Sequence, residues 1–343
     1  PAIIPSRPVP PARAPSHIPG NSMSFRACWL LLFCFMAGWP SARAESTLPA
    51  PDIHAQIDAA PARGLFYAVH RGTRTAYLFG TIHVGRPDFF PLERRATEAL
   101  ADSSTLAVEL DATQAETMRA AMRRHALLPD GETLGARLSP ALRTRLAAQL
   151  DALGMPQRSI RAYKPWMAAL TLTLAGVQQS GFDGAYATDG YLIGLARGLH
   201  KPVVELESAD EQLGLFDTLP RTDQTAFLDE ALRSLENGKL ADDTRALVSA
   251  WLAGDARALE RLAAVSLDEN PRSGPWMQQK LFVERNYRMA ERIERLLADG
   301  QSPFVAVGAL HLVGPNGLPA LLAARGYRVV NLYPASRTTK ETR

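Results

Sequence analysis

The stretch Tyr77-Leu78-Phe79-Gly80-Thr81-Ile82-His83-Val84-Gly85 recurs in kind at Val305-Ala306-Val307-Gly308-Ala309-Leu310-His311-Leu312-Val313-Gly314. Each is an apolar run that enters Gly-x-x-His and meets another glycine shortly after. A short apolar run bounded by glycine reads as a buried strand. The first glycine lets the backbone turn or come close to a ligand, and the histidine then stands at the strand's carboxyl end. In open α/β sheets that edge is where ligands bind. His83 and His311 are 228 positions apart, so they meet only if their strands are neighbours. A lone strand-end histidine is usually a structural hydrogen-bonder; the repeated frame is what singles out this pair. His54, His70, His125 and His200 lack the frame and are read as surface or core residues.

Outward from these motifs the pattern alternates. Leu65 to His70 and Thr75 to Ile82 are aromatic and β-branched runs around Arg71-Gly72-Thr73-Arg74, which predicts a hairpin. A helix over Leu92 to Asp102 and a strand over Thr105 to Leu110 follow. The 3.6-residue pattern then predicts helices over Ala115–His125, Pro140–Leu153, Lys164–Gln178 and Asp189–Arg197. Pro202 to Leu206 returns to a strand, and helices are expected over Asp210–Leu219, Asp223–Leu235, Asp242–Ala253 and Pro275–Leu297. Strand Pro303–Val307, a helix Gly317–Ala324 and strand Tyr327–Leu332 close the chain. The fold class is therefore α/β, with a mixed central sheet formed by N- and C-terminal strands, flanked by helices, and a helical insertion in the middle. Met118, Met122, Met289 and Ile293 fall on core stripes of their helices.

Carboxylates occupy comparable strand ends. Glu109 follows Leu106-Ala107-Val108, and Glu205 and Glu207 flank Leu206 after Val203-Val204. Such an acid can be a metal ligand, a base or a helix cap. Alternation puts Glu205 and Glu207 on one side of a regular strand, so position alone does not choose between them. Arg285 sits in Glu284-Arg285-Asn286 on a helix rich in Glu and Arg, where the plain reading is a solvated face.

The charge balance changes once the N-terminus is set aside. The chain has 343 residues, 38 Lys and Arg, 35 Asp and Glu, and a net charge of +3. Arg7, Arg13, Arg26 and Arg43 lie in the first 44 residues, which hold no acid; 34 basic residues then face 35 acidic ones. Residues 1–22, with seven prolines, are expected to be an untranslated or disordered leader. Residues 23–44 read as a signal peptide: Met23, then Arg26, an apolar run Ala27 to Gly38, and Ala42-Arg43-Ala44 as the cleavage site. A run of 12 residues is short of the roughly 20 that a spanning helix needs. Residues 45–63 are a lead-in, 64–333 one α/β domain and 334–343 a tail. Both cysteines, Cys28 and Cys34, fall in the signal segment, so a chain cleaved after Ala44 carries neither disulfide nor thiol chemistry. The expected location is periplasmic or secreted, without stable membrane insertion after cleavage. The near-neutral remainder and the 7% aromatic content, with no basic-aromatic stripe, argue against nucleic acid. No Gly-x-Ser-x-Gly elbow, His-Glu-x-x-His helix, phosphate loop or dinucleotide loop is present.

Six motifs in order resemble the TraB/PrgY/GumN family. They are Gly80 to Gly85, Val108-Glu109-Leu110, Lys164-Pro165-Trp166, Lys201 to Glu207 with Glu211-Gln212-Leu213, Glu284-Arg285-Asn286, and Gly308 to Gly317. The resemblance runs from Gly64 to Tyr333 and is greatest to the GumN-type exported bacterial members. Animal relatives of the family are the TIKI metal-dependent proteases, and its fold is similar to that of the erythromycin esterases and the ChaN haem-binding proteins. The family often shows Gly-hydrophobic-Asp where this chain has Thr188-Asp189, which leaves the role of Asp189 open.

By that resemblance, the catalytic set is His83, Glu109, Glu207, Arg285 and His311, with Glu207 preferred to Glu205 because it precedes the Gln-Leu helix. A TIKI-like site implies that His83, Glu207 and His311 hold a divalent ion (Zn, Mn or Co), with the other carboxylate taking a proton from water and Arg285 meeting the oxyanion. An esterase-like site implies no metal and a histidine base oriented by Glu109. The activity implied is an exported hydrolase cleaving a peptide or ester bond, its partner a peptide or small-molecule substrate. The alternative is a periplasmic protein that binds haem, metal, peptide or a polysaccharide-related ligand without turnover.

Overall fold

The hairpin forms where the aromatic and β-branched runs place it. β1 (Leu65–Arg71) and β2 (Arg74–Thr81) pair antiparallel from Leu65↔Gly80 to Arg71↔Arg74. Gly72 makes the turn at φ 61°, a left-handed conformation that favours glycine. The computed structural model describes residues 53–268 and 273–333. The expected leader, signal peptide, the first eight residues of the lead-in, the C-terminal tail and both cysteines lie outside them.

β3 (Thr105–Val108), β4 (Val203–Glu205), β5 (Pro303–Gly308) and β6 (Arg328–Asn331) complete a six-stranded sheet in the order β4-β3-β5-β2-β1-β6. β5 runs parallel to both β3 and β2, β3 runs parallel to β4, and β1 is antiparallel to β2 and β6. The sheet is thus mixed, as the terminal strands predict. Every residue of β3 and β5 is buried, which is why these two read as unbroken apolar runs rather than as alternation.

The helices are α1 (Ile53–Ala59), α2 (Arg94–Asp102), α3 (Ala115–His125), α4 (Pro140–Ala152), α5 (Pro165–Gln179), α6 (Thr188–Gly198) and α7 (Ala209–Asp217). After them come α8 (Arg221–Glu236), α9 (Lys239–Leu252), α10 (Ala256–Asp268), α11 (Gly274–Trp276), α12 (Glu284–Ala298) and α13 (Leu318–Ala324). Local signals set several of the starts. α4 has Pro140 in its first turn, and the Ser139 side chain accepts from Leu142 N. α7 opens with a reciprocal capping box between Ser208 and Glu211. One hydrophobic cluster joins the sheet to the helical middle; within it Trp166 at the start of α5 stacks on Phe216 of α7 with ring centroids 5.2 Å apart. Met289 and Ile293 are fully buried and Met118 and Met122 pack against the core, as their helical spacing predicts.

Three elements depart from the sequence expectation. α1, in the lead-in, and α10 stand where no helix is expected. The single helix expected over Pro275–Leu297 is divided: α11 passes into a π-helical stretch, Met277–Val283, before α12 begins. Apolar periodicity does not register the switch to i→i+5 bonding, because the buried face continues through Met277, Leu281 and Arg285.

Candidate functional site

The site follows from the position of β5. Its register with β2 sets Gly80 beside Val307 and Thr81 beside Gly308, and its register with β3 sets Val108 beside Ala306. The carboxyl ends of β2, β5 and β3 are therefore adjacent, and each ends in a residue of interest. His83 follows β2 by two residues, Glu109 comes directly after β3, and His311 lies in a 3₁₀ turn, Ala309–Leu312, that leaves β5. Pairing between β3 and β4 continues past the strands, with Leu206 N donating to Val108 O at 2.7 Å and Glu207 N to Glu109 O at 2.9 Å. This clamps the Glu207 backbone to that of Glu109.

The two motif glycines keep the crossing narrow. A Cβ on Gly80 would lie 3.0 Å from the Ala309 Cα, and one on Gly308 would lie 3.2 Å from both Glu109 Oε1 and His83 Nε2 and 3.7 Å from His311 Cδ2. One carboxylate and two imidazoles therefore surround Gly308. Glu109 Oε1 accepts from Gly308 N at 2.5 Å and stands 3.6 Å from His311 Nε2.

Arg285 joins the two acids. Its Nε donates to both oxygens of Glu207 (3.0 and 2.8 Å), and its Nη2 donates to Glu207 Oε2 at 2.6 Å and to Glu109 Oε2 at 2.5 Å; Nη1 reaches Leu281 O at 3.3 Å. Gln212 Nε2 donates to Glu207 Oε2 at 2.9 Å, and Arg288 approaches Glu207 Oε1 at 3.7 Å. The solvated-face reading of Arg285 is thereby corrected: it is 4% exposed and embedded between carboxylates. The strand ends at Glu205, after which the two neighbouring acids diverge. Glu205 accepts from Asp111 N at 2.8 Å, whereas Glu207 turns to Arg285 and Gln212.

Each histidine is held from behind through Nδ1. His83 Nδ1 is 2.7 Å from Asp189 Oδ2, and His311 Nδ1 is 2.5 Å from Asn286 Oδ1, whose own amide nitrogen donates to Asn316 O. A carboxylate and an amide oxygen can only accept, so both rings carry a proton on Nδ1. Phe282 lies against the His311 ring, with centroids 5.6 Å apart. Burial drives the His311 pKa down to about 4 with help from Arg285 and His83, against the opposing pull of Glu109 and Glu207. Burial would raise the carboxyl pKa of Glu109, but His311, Arg285, His83 and the Gly308 N–H together bring it down to about 2. At neutral pH the site thus presents a neutral His311 beside an ionised Glu109.

All five expected residues lie in one cluster, in which the two acids have different neighbours. Glu109, not Glu207, is the carboxylate that reaches His311 and stands by His83 Nε2; Glu207 is engaged by Arg285 and Gln212. Arg285 grips the acids rather than facing open space for an oxyanion. Among the described residues no three His, Cys, Asp or Glu side chains form a group that would hold a metal ion by themselves. The donor types nonetheless suit a divalent cation: two imidazoles, each held through Nδ1, and the oxygen of an ionised carboxylate lie around Gly308. A cavity of about 20 Å³, room for roughly one water, lies beside the two histidines and Gly308, with Ile82, Leu247, Trp251, Leu259, Phe282 and Leu310 as its apolar walls; Glu109 is not part of its lining. Haem does not fit this space.

Three residues of the site carry no assigned role in the sequence reading. Asn286 and Gln212 lie inside quoted motifs, beside Arg285 and Glu211. Asp189 sits in the one segment where the chain departs from its family's pattern. The remaining histidines behave plainly: His70 Nδ1 pairs with Thr75 Oγ1, and His125 lies between Asp210 and Asp217 at the ends of α3 and α7.

Comparison with known proteins agrees with this anatomy. The family model described as TraB/PrgY/gumN family matches residues 65–331. The chain is 29% identical over 260 residues to the uncharacterized protein YbaP of Shigella flexneri, covering 73% of this chain and 89% of that protein. It is 26% identical to the metalloprotease TIKI1 of Danio rerio, covering 90% of this chain and 69% of that protein, and 25% identical to the metalloprotease TIKI homolog of Nematostella vectensis, covering 89% and 75%. No solved structure matches. Among the described residues no helix is long and apolar enough to cross a membrane.

Proposed function

The chain belongs to the TraB/PrgY/gumN family, and on that footing we propose that it is a hydrolase that activates water against a peptide bond, with a divalent ion as its cofactor. The observation that carries the proposal is the meeting of His83 Nε2, Glu109 Oε1 and the His311 ring around Gly308. That the TIKI relatives are metalloproteases supports the reaction class. The signal-peptide reading of residues 23–44 supports a periplasmic or secreted site of action.

His83 and His311 would hold the ion through Nε2, with Glu109 as the nearest carboxylate and Zn, Mn or Co all compatible with imidazole and carboxylate donors. Such an ion, when bound, acidifies a water and polarises the scissile carbonyl. Asp189 and Asn286 keep both Nδ1 protons in place, so Nε2 is the nitrogen each ring would offer to an ion. Glu109, ionised down to about pH 2, is a weak proton acceptor; its part is to hold negative charge beside the imidazoles and orient the water. Arg285 and Gln212 fix Glu207, and Arg285 fixes Glu109, so neither acid swings away. Asp189, Glu109 and Glu207 bring three negative charges to the cluster against Arg285 and Arg288, a balance that favours an added cation. The apolar wall of Leu247, Trp251, Leu259 and Phe282 excludes bulk water, and a substrate carbonyl must displace part of it to enter.

The test is hydrolysis of a peptide library by the purified protein as isolated, after chelation, and after return of Zn, Mn or Co, with His311→Ala as control. Loss on chelation, recovery with one metal and inactivity of His311→Ala are expected. Activity that survives complete metal removal would favour the esterase-like site, in which a histidine serves as base. No turnover of peptides or esters under any condition would favour a binding protein.

A further inference from the structure

Asp189 begins the first turn of α6 and stands behind His83. Its Oδ2 lies 2.7 Å from His83 Nδ1, and its Oδ1 accepts from Thr81 Oγ1 at 2.7 Å. Only 13% of its side chain is exposed. The backbone ties the same two segments together one residue earlier on each side. Thr188 N donates to Ile82 O at 2.9 Å, Ile82 N donates to Thr188 Oγ1 at 2.8 Å, and that hydroxyl in turn donates to Ile82 O at 3.2 Å. Thr188 is fully buried. The end of β2 and the start of α6 are therefore fastened at three consecutive positions, 81, 82 and 83. An acid in a first helical turn more often serves the helix's own N–H groups. Here both carboxylate oxygens are directed to the β2 end instead.

We propose that Asp189 is the positioning residue of His83: held by Thr81 and by the docked Thr188, it fixes the imidazole as the Nδ1–H tautomer with Nε2 directed at Gly308 and Glu109. Asn286 stands in the same relation to His311, so the two Gly-x-x-His motifs are matched by two acceptors from outside them. The pair is not symmetric. An ionised carboxylate behind His83 raises the electron density of that ring more than the neutral amide does for His311, so His83 is the stronger donor of the two. This assignment rests on the reading of His83 and His311 as the working pair. It also gives the Thr188-Asp189 segment its purpose, because Thr188 docks α6 on Ile82 while Asp189 reaches the next residue.

The experiment uses the full chain in metal-free form with histidine-selective ¹⁵N labelling, His83 being assigned by its loss in His83→Gln. Long-range proton-nitrogen spectra at neutral pH should show His83 as the Nδ1–H tautomer in the wild type and as a mixture or the Nε2–H form in Asp189→Ala. A Co(II) titration followed by visible absorption should then show affinity weakened about 10- to 100-fold in Asp189→Ala and partly recovered in Asp189→Asn, which keeps an acceptor oxygen. A folded Asp189→Ala with an unchanged His83 tautomer and a Co(II) affinity within about twofold of wild type, against the expected range, would overturn the assignment. If the wild type itself binds no Co(II), the metal reading fails and the ring spectra alone decide: an unchanged tautomer in Asp189→Ala overturns the assignment, a changed one sustains it. Should Asp189→Ala not fold, Thr81→Val removes one of the two bonds that hold the carboxylate, and the same spectra apply.

Discussion

Arg285 and Glu109 meet inside the protein, Nη2 to Oε2 at 2.5 Å, with 4% and 2% of the two residues left exposed. The same nitrogen reaches Glu207 at 2.6 Å, so one guanidinium bridges two carboxylates that would otherwise repel each other in a medium of low dielectric.

Arg285→Met should therefore destabilise the protein by about 3 to 5 kcal/mol at pH 7, the range for a buried pair stripped of one partner. Urea unfolding measures it. The loss should shrink toward acid pH, where protonation of one acid relieves the repulsion. Arg285→Lys should rescue only part, because an ammonium cannot hold two carboxylates with a planar fork. An Arg285→Met protein with a wild-type urea midpoint at pH 7 would remove this account.

Glu205 and Glu207, two residues apart, should respond in opposite ways. Glu205→Gln keeps an oxygen for Asp111 N and should change stability by less than about 0.5 kcal/mol. Glu207→Gln removes the charge facing Arg285 and should cost about 2 kcal/mol, together with most of the hydrolytic activity. Equal effects of the two substitutions on unfolding would contradict the divergence seen after β4.

Acid should loosen the fold in two stages. His311 titrates near 4 in the folded protein against an ordinary 6.5, and Glu109 near 2 against 4.5. Both folded values are depressed, so each group's contribution is complete above its unfolded value and is lost as pH falls toward the folded one. The urea midpoint should hold above about pH 7, decline from 6.5 to 4 through His311, and decline further from 4.5 through Glu109. In His311→Gln the first decline should be reduced by about one proton. A wild-type midpoint that climbs between pH 7 and 5 would have the wrong sign.

Gly308→Ala places a methyl 3.2 Å from both Glu109 Oε1 and His83 Nε2. The polar tips can yield by a few tenths of an ångström, so the stability loss should stay near the lower end of about 1 to 3 kcal/mol. The geometry of the three groups would not survive that shift, and kcat should fall by about 100-fold. Circular dichroism and peptide hydrolysis on one preparation separate the two effects.

The sheet was legible in the sequence because β3 and β5 are buried on both faces and read as unbroken apolar runs between glycines. His83 and His311 stood out because a frame that repeats is a stronger signal than either copy. The positions of Glu207 and Arg285 came only through family resemblance: alternation treats Glu205 and Glu207 alike, and charge patterning makes Arg285 one more surface arginine. Which acid faces the imidazoles depends on strand register and side-chain direction, and neither leaves a trace in composition. Asp189 was hidden for a further reason. Its partners, Thr81 and His83, are more than 100 positions away, and an acid opening a helix has a local explanation that satisfies pattern reading.

β5 is the fifth of six strands in the chain yet occupies the interior of the sheet, between β3 and β2. Until it inserts, the hairpin carrying His83 and the parallel pair carrying Glu109 and Glu207 share no strand. The contacts that join them span about 200 positions, a topology in which loop closure comes first and its reward last. An emerging chain, or one clipped before its final forty residues, thus has neither a continuous sheet nor a second imidazole. The strand that closes the sheet and the turn that carries His311 are one continuous segment, so the architecture and the site are completed together.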